Sequence, residues 1–181
     1  MNNTELARNL ALASIAAGKT INAVGKTPEI PLTSELRNQL ALTSSLIQFG
    51  GGALLTDVIR TNPEFQFIVR LNFLNYSIFS IQLIQDVHDD PLLIRQALSA
   101  NLREIAGDLM LLTIHSIWSK LYSLIGITLI ALGHMMQALG RRQQLDQEAT
   151  FTEVNKQITL GSWIDACGST IILLGNLADT V

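Results

Sequence analysis

The apolar positions of this chain recur at helical spacing, and glycine marks the same face every seven residues. Between Lys120 and Arg141 the sequence runs KLYSLIGITLIALGHMMQALGR, with Gly126, Gly133 and Gly140 on one stripe. The C-terminal stretch repeats the interval at Gly161, Gly168 and Gly175, and the N-terminal stretch at Gly18 and Gly25, with Ala11 one heptad earlier. These eight positions hold most of the chain's 12 glycines, so the interval organises the sequence. A loose consensus, G-x-x-φ-x-A-φ-G with φ apolar, fits residues 18–25, 126–133, 133–140 and 161–168; at 168–175 Leu173 replaces the alanine. Seven residues are close to two helical turns, so the stripe stays on one side of its helix. There the missing side chains let a neighbouring helix approach.

Taken in order, the pattern predicts helix after helix. Residues 3–26 keep a small, apolar face through Leu6, Leu10, Ser14, Ile15, Gly18, Ile21, Ala23 and Gly25, and Pro28 and Pro31 end it. Thr33 or Ser34 caps a second helix to about residue 60, interrupted by Gly50-Gly51-Gly52. These three glycines are a loop, a kink, or a point of very close backbone approach. No strand precedes them and no Gly-Lys-Ser/Thr follows, so they do not read as a phosphate cradle. Asn62-Pro63-Glu64 opens a helix to about 86 that carries most of the phenylalanines. Asp89-Asp90-Pro91 opens the next, with a break or kink between 116 and 123. Thr150-x-x-Glu153 is a capping box for the last helix, which runs to about 178. No segment reads as a strand. The expected fold is all-α, a single domain over 1–181, with five or six helices whose glycine faces pack against one another or against residues 121–140.

Composition sharpens the picture. Charged residues make up 15% and mean hydropathy is +0.33; soluble domains carry about 25% charged residues, so the chain lies between a soluble bundle and a membrane protein. A net charge of −3 leaves no cationic footprint for nucleic acid. Cys167 is the one cysteine and excludes an internal disulfide. The N-terminal apolar run is short and Glu5 occupies what would be a basic region, so this stretch reads as the first helix and not as a signal peptide. The expected location is the cytoplasm, with membrane association as the alternative. Residues 121–140 meet the length of a membrane span and lack Asp, Glu, Lys and Arg.

Candidate chemistry is sparse. Asp86, His88, Asp89 and Asp90 form an acidic knot that also serves as a helix cap, and the capping role needs no metal. Glu104, Asp108 and His115 share a helix face, but the Glu-x-x-His pairs of di-iron bundles and the His-Glu-x-x-His of zinc proteases are absent. They read as a polar cluster at the core edge. Cys167 is expected as a small buried thiol on the ladder face, and His134 as a hydrogen-bonded core or interface histidine. Trp118 and Trp163 fit either interfacial anchoring or ordinary packing. No catalytic residue, metal ligand, cofactor or small-molecule substrate is indicated.

The segments SWIDACGSTIILLGN, SIAAGKTINAVGKT and LALTSSLIQFGGGALLTD resemble the repeat units of an uncharacterised family of short repetitive proteins from Gram-positive spore-forming bacteria. The shared motif is of the type S-W-I-x-A-x-G-x-x-I-x-x-x-G. The first 57 and last 25 residues carry the resemblance, Ser44 stands where the repeats have glycine, and the family implies no activity. The expected function is therefore that of a non-enzymatic, structural or self-associating homo-oligomer. Its helix-packing residues are Gly18, Gly25, Gly126, Gly133, Gly140, Gly161, Gly168 and Gly175. The alternative is a membrane-active or pore-forming protein that inserts residues 121–140.

Overall fold

The computed structural model describes residues 3–58, 91–113, 120–146 and 150–179. Among them there is no strand, and the architecture is all-α: α1 (Asn3–Lys26), α2 (Ser34–Val58), α3 (Pro91–Thr113), α4 (Leu121–Asp146) and α5 (Phe151–Ala178). The helix expected over 63–86, the acidic knot at 86–90, His115 and Trp118 lie outside the described residues.

Local chemistry sets the ends. Arg37 donates from its guanidinium to the carbonyls of Gly25, Thr27 and Ile30, occupying acceptors that the end of α1 leaves open. Thr33, and not Ser34, caps α2 by accepting from the Leu36 amide at 3.2 Å. Thr150 and Glu153 close a reciprocal capping box on α5. Lys120 is not helical, so the chain breaks immediately before α4.

The helices pack in the order α2, α1, α5, α4, α3, as two antiparallel hairpins joined through α1 and α5, with α3 laid on α4. The seam between α4 and α5 is made of backbone. A Cβ built on Gly133 would lie 2.6 Å from the Gly161 carbonyl oxygen, and one on Gly161 would lie 2.6 Å from the Gly133 oxygen. Gly126 and Gly168 oppose each other in the same reciprocal way, at 2.8 and 2.5 Å. Seven residues up one antiparallel helix correspond to seven down the other, so one interval serves both. At the ends of the seam Gly140 takes Ile158, and Gly175 lies against the Tyr122 ring.

The α1–α2 hairpin uses the same device with a mixed set of small residues. Gly18 faces the Ser44 carbonyl at 2.8 Å, Gly25 faces Leu40 at 3.3 Å, and Gly51 faces the Ala11 carbonyl at 2.9 Å. Ser44 is thus the partner of a ladder glycine, and its hydroxyl turns back to the Ala41 carbonyl. The triple glycine forms no loop: α2 runs straight through it, with Gly51 at the contact and Gly50 facing open space.

Side-chain size is distributed opposite to that of a water-soluble bundle. Among the described residues, eight of the eleven buried apolar ones are alanines, whereas Leu10, Leu46, Leu102, Leu109, Leu132, Leu139, Leu160 and Leu174 are exposed. The contrast between Gly133 and Gly50 gives a stability test. Gly133→Ala forces two backbones apart and is expected to cost about 1–3 kcal/mol. Gly50→Ala meets nothing and should gain up to about 1 kcal/mol from helix propensity. Denaturant unfolding of the two variants checks this; equal midpoints would contradict the seam.

Candidate functional site

The interior gathers the polar groups that the surface lacks. Buried polar side chains come from every described helix, among them Asn9, Lys19, Ser44, Gln48, Asn101, Glu104, Asp108, His134, Gln137, Ser162, Asp165 and Asn176. The small seam residues make this arrangement possible, because a face of alanine and glycine leaves lateral room for longer neighbours on the same helix.

Five of these residues form one charged array across four helices. His134 sits one residue past Gly133, so the closest approach of α4 to α5 also brings in its ring. Its Nδ1 is 2.8 Å from Asp108 Oδ2, and Nε2 is 3.4 Å from Asp165 Oδ2 and 3.6 Å from Glu104 Oε2. Asp165 uses its other oxygen to accept from Lys19 on α1. Every member is about nineteen-twentieths buried. His134 and Asp165 lie at the midpoints of α4 and α5, and Glu104 near that of α3. Glu104 and Asp108 do share a face of α3, one turn apart, and their partner is His134 on the next helix. The sequence grouped them with His115, which lies outside the described residues.

A second polar layer lies toward the C-terminal end of α1. Lys26 Nζ donates to Gln137 Oε1 at 3.2 Å and Ser162 Oγ at 3.3 Å, while Thr159 donates to the Lys26 carbonyl at 2.7 Å. Trp163 Nε1 donates to Thr27 Oγ1 at 2.9 Å, which ties α5 to the end of α1. At the opposite end Asn176 donates to Asn9. Among the described residues no group of His, Cys, Asp or Glu is arranged to hold a metal ion; the carboxylates address opposite nitrogens of one imidazole. Cys167 does not sit on the ladder face: it is exposed. One residue along a helix is a rotation of about 100°, and Gly168 takes the buried direction.

The chain belongs to DUF6944, a family of unknown function. Its pattern covers residues 10–173, all of α2, α3 and α4 and most of α1 and α5. No curated protein and no solved structure matches the chain. Membership of DUF6944 assigns no role to the array, so its chemistry has to be argued from its geometry.

Removing one partner of a buried ion pair leaves the other charge without compensation, at a cost of about 3–5 kcal/mol. Asp165→Asn should lose that much in denaturant unfolding. The double variant Lys19→Met with Asp165→Asn should lose clearly less than the two single losses together. Strict additivity would show that the two side chains are not coupled.

An exposed cluster closes the other end of the bundle. Lys120 donates to the Asp179 carboxylate, and the Tyr122 hydroxyl donates to the same oxygen at 2.7 Å. The Lys120 hydrogen bond, then that of Tyr122, hold the Asp179 carboxyl below its ordinary value, and the bond to Asp179 raises Lys120. A lowered carboxyl favours the folded clamp above the ordinary carboxyl value of 3.8 and withdraws that help as pH falls through the depressed value. The raised lysine acts at the alkaline edge, where its help is lost as pH rises past its own value. Amide protection at the end of α5, measured as the exchange rate relative to an unfolded peptide at the same pH, should therefore be uniform near neutral pH and fall in acid. Asp179→Asn should remove the acid dependence.

Proposed function

We propose that this chain is an integral membrane protein, a non-enzymatic bundle whose glycine-sealed hairpins sit in the bilayer around a polar interior. The observation that carries the reading is the inverted distribution of side chains. The exposed residues in the middle of α4 are Ile125, Thr128, Leu132, Met135 and Leu139, and those of α5 are Leu160, Cys167 and Leu174. Between Arg8 and Pro28, α1 and its end expose only Leu10 and Ala17; between Gln39 and Asp57, α2 exposes only Thr43, Leu46 and Gly50. The C-terminal half of α3 exposes Leu102, Ala106, Leu109, Met110 and Thr113, and the half-buried Arg103 folds back on the Ser99 carbonyl. In water this belt would be an unfavourable surface; hydrocarbon satisfies it and demands that the polar groups face inward.

Length and seam chemistry agree with this. The helices are 23 to 28 residues long, against about 20 needed to span. Leu121–Asp146 and Thr152–Ala178 are long and apolar enough to cross a membrane, and only 44% of each apolar window is buried in the bundle. A core helix of a soluble protein would bury most of it. Close approach through small residues is how helices associate in lipid, where apolar burial supplies no drive. The ladder glycines are engaged within the chain, so they do not support the expectation of inter-subunit ladder contacts.

Charge supports an orientation. Among the described residues Lys26, Arg37, Arg141, Arg142 and Lys156 gather at the end holding the α1–α2 turn, and Arg8 and Lys120 stand at the other. By the positive-inside tendency the first end faces the cytoplasm. The chain should stay with membranes through an alkaline carbonate wash and need detergent for extraction. In a Cys167→Ser background, Asp57→Cys should react with an impermeant maleimide on intact cells, and Glu29→Cys only after permeabilisation. A chain that purifies without detergent as a discrete assembly would overturn the reading.

A further inference from the structure

Among the described residues the array around His134 holds three carboxylates against one ammonium and one imidazole, and its hydrogen-bond geometry leaves one proton to be accounted for. A carboxylate at Asp108 only accepts, and the hydrogen on the 2.8 Å contact then belongs to His134 Nδ1. A neutral ring would then aim the Nε2 lone pair at Asp165 Oδ2 and Glu104 Oε2, 3.4 and 3.6 Å away. Three acceptors cannot face one another in a buried site without a hydrogen between them. Either Nε2 carries a second proton, or one carboxyl group does.

Glu104 is the carboxyl group best suited to exchange it. Asp165 has Lys19 on its other oxygen and Asp108 has Nδ1. Glu104 is 4% exposed and accepts no hydrogen bond from any described residue. Asn101, one turn earlier on the same buried face of α3, is 5% exposed, and no described residue bonds its amide. A buried carboxylate with no donor among the described residues, beside an amide with no described partner, is a place where a proton relieves a desolvation cost.

We propose that Glu104 and His134 form a proton-binding site in the interior of the bilayer, a reading that rests on the membrane placement proposed above. In one state His134 is an imidazolium paired with the Glu104 and Asp165 carboxylates. In the other the Nε2–H bond breaks, its electron pair stays on nitrogen, and an O–H bond forms on Glu104, so that an ion pair becomes a neutral pair. Net uptake adds one proton from water to the form in which both groups are deprotonated, and release returns it.

Among the described residues the charged groups facing the site from each packed helix are few. They are Lys19 and, one layer away, Lys26 from α1; Glu104 and Asp108 from α3; Asp165 from α5; and His134 from α4 itself, with the half-buried Arg141 at the rim, bonded to Gln144. No titratable group is buried on α2. Gln137, one turn from His134, meets the half-buried Lys26 and Ser162, whereas toward the Asn9–Asn176 end α4 presents Gly126, Ile127 and Ala131.

The test uses the full chain reconstituted in phosphatidylcholine vesicles, with infrared spectra recorded across pH for the stretching band of a protonated carboxyl group. Wild type should show a pH-dependent band. It should be lost in Glu104→Gln and kept in Asp57→Asn, a change at an exposed carboxylate. His134→Gln, which removes the cationic partner, should move the transition upward by about one pH unit or more. Circular dichroism checks that each variant is folded, and Glu104→Asp restores a band if the loss in Glu104→Gln is chemical and not structural. A wild-type chain without a pH-dependent band, or a band that survives Glu104→Gln, overturns the proposal. Vesicle flotation is read separately. A chain that fails to float overturns the membrane reading, whereas a chain that floats without the band overturns only the proton site.

Discussion

Two antiparallel backbones touch where Gly133 meets Gly161 and where Gly126 meets Gly168, and the rest of the structure follows from that contact. A carbonyl oxygen occupies the space of a missing Cβ at each of the four residues. The contact is too close for any side chain, and it fixes the register of α5 against α4 to one residue. With the register set, His134 and Asp165 must come together, because each stands within one turn of a glycine in the pair. The site is a consequence of the seam.

The same contact explains why the interior tolerates charge. Seams of glycine, alanine and serine bury little apolar surface, so the described helices do not owe their contacts to a leucine core. Backbone packing, interhelical hydrogen bonds such as those of Lys26, Trp163 and Asn176, and one ion-pair network take that role. Such forces prevail where the surroundings are as apolar as the exposed face, because in hydrocarbon an unpaired polar group has no water to return to. In the membrane placement proposed above, an ionisable group at mid-bilayer is costly and marks a functional site.

Much of the architecture was legible along the chain. The Thr150–Glu153 box, the prolines after α1 and the small-residue stripes act within a turn or two, and each does in the structure what its local chemistry dictates. Other features were not. Ser44 looked like a departure from a glycine repeat, yet it is the carbonyl that Gly18 packs on. Cys167 looked like part of the buried face and is turned to the outside by one residue of helical rotation. Glu104 and Asp108 were paired with a histidine seven residues on, because sequence spacing shows only neighbours on the same helix.

By itself the sequence determined the helices, their ends and which face of each is small, since periodicity and capping depend on residues within a turn or two. It also determined that glycine contacts are close ones, because no other residue leaves that space. Only the tertiary structure decided that Lys19 meets Asp165 across 146 residues, that His134 is shared by carboxylates from two other helices, and that the leucines face outward. Those outcomes depend on which seam pairs with which and in what register. A seven-residue stripe repeated in several helices is compatible with many pairings, and the particular side chains beside each glycine select one.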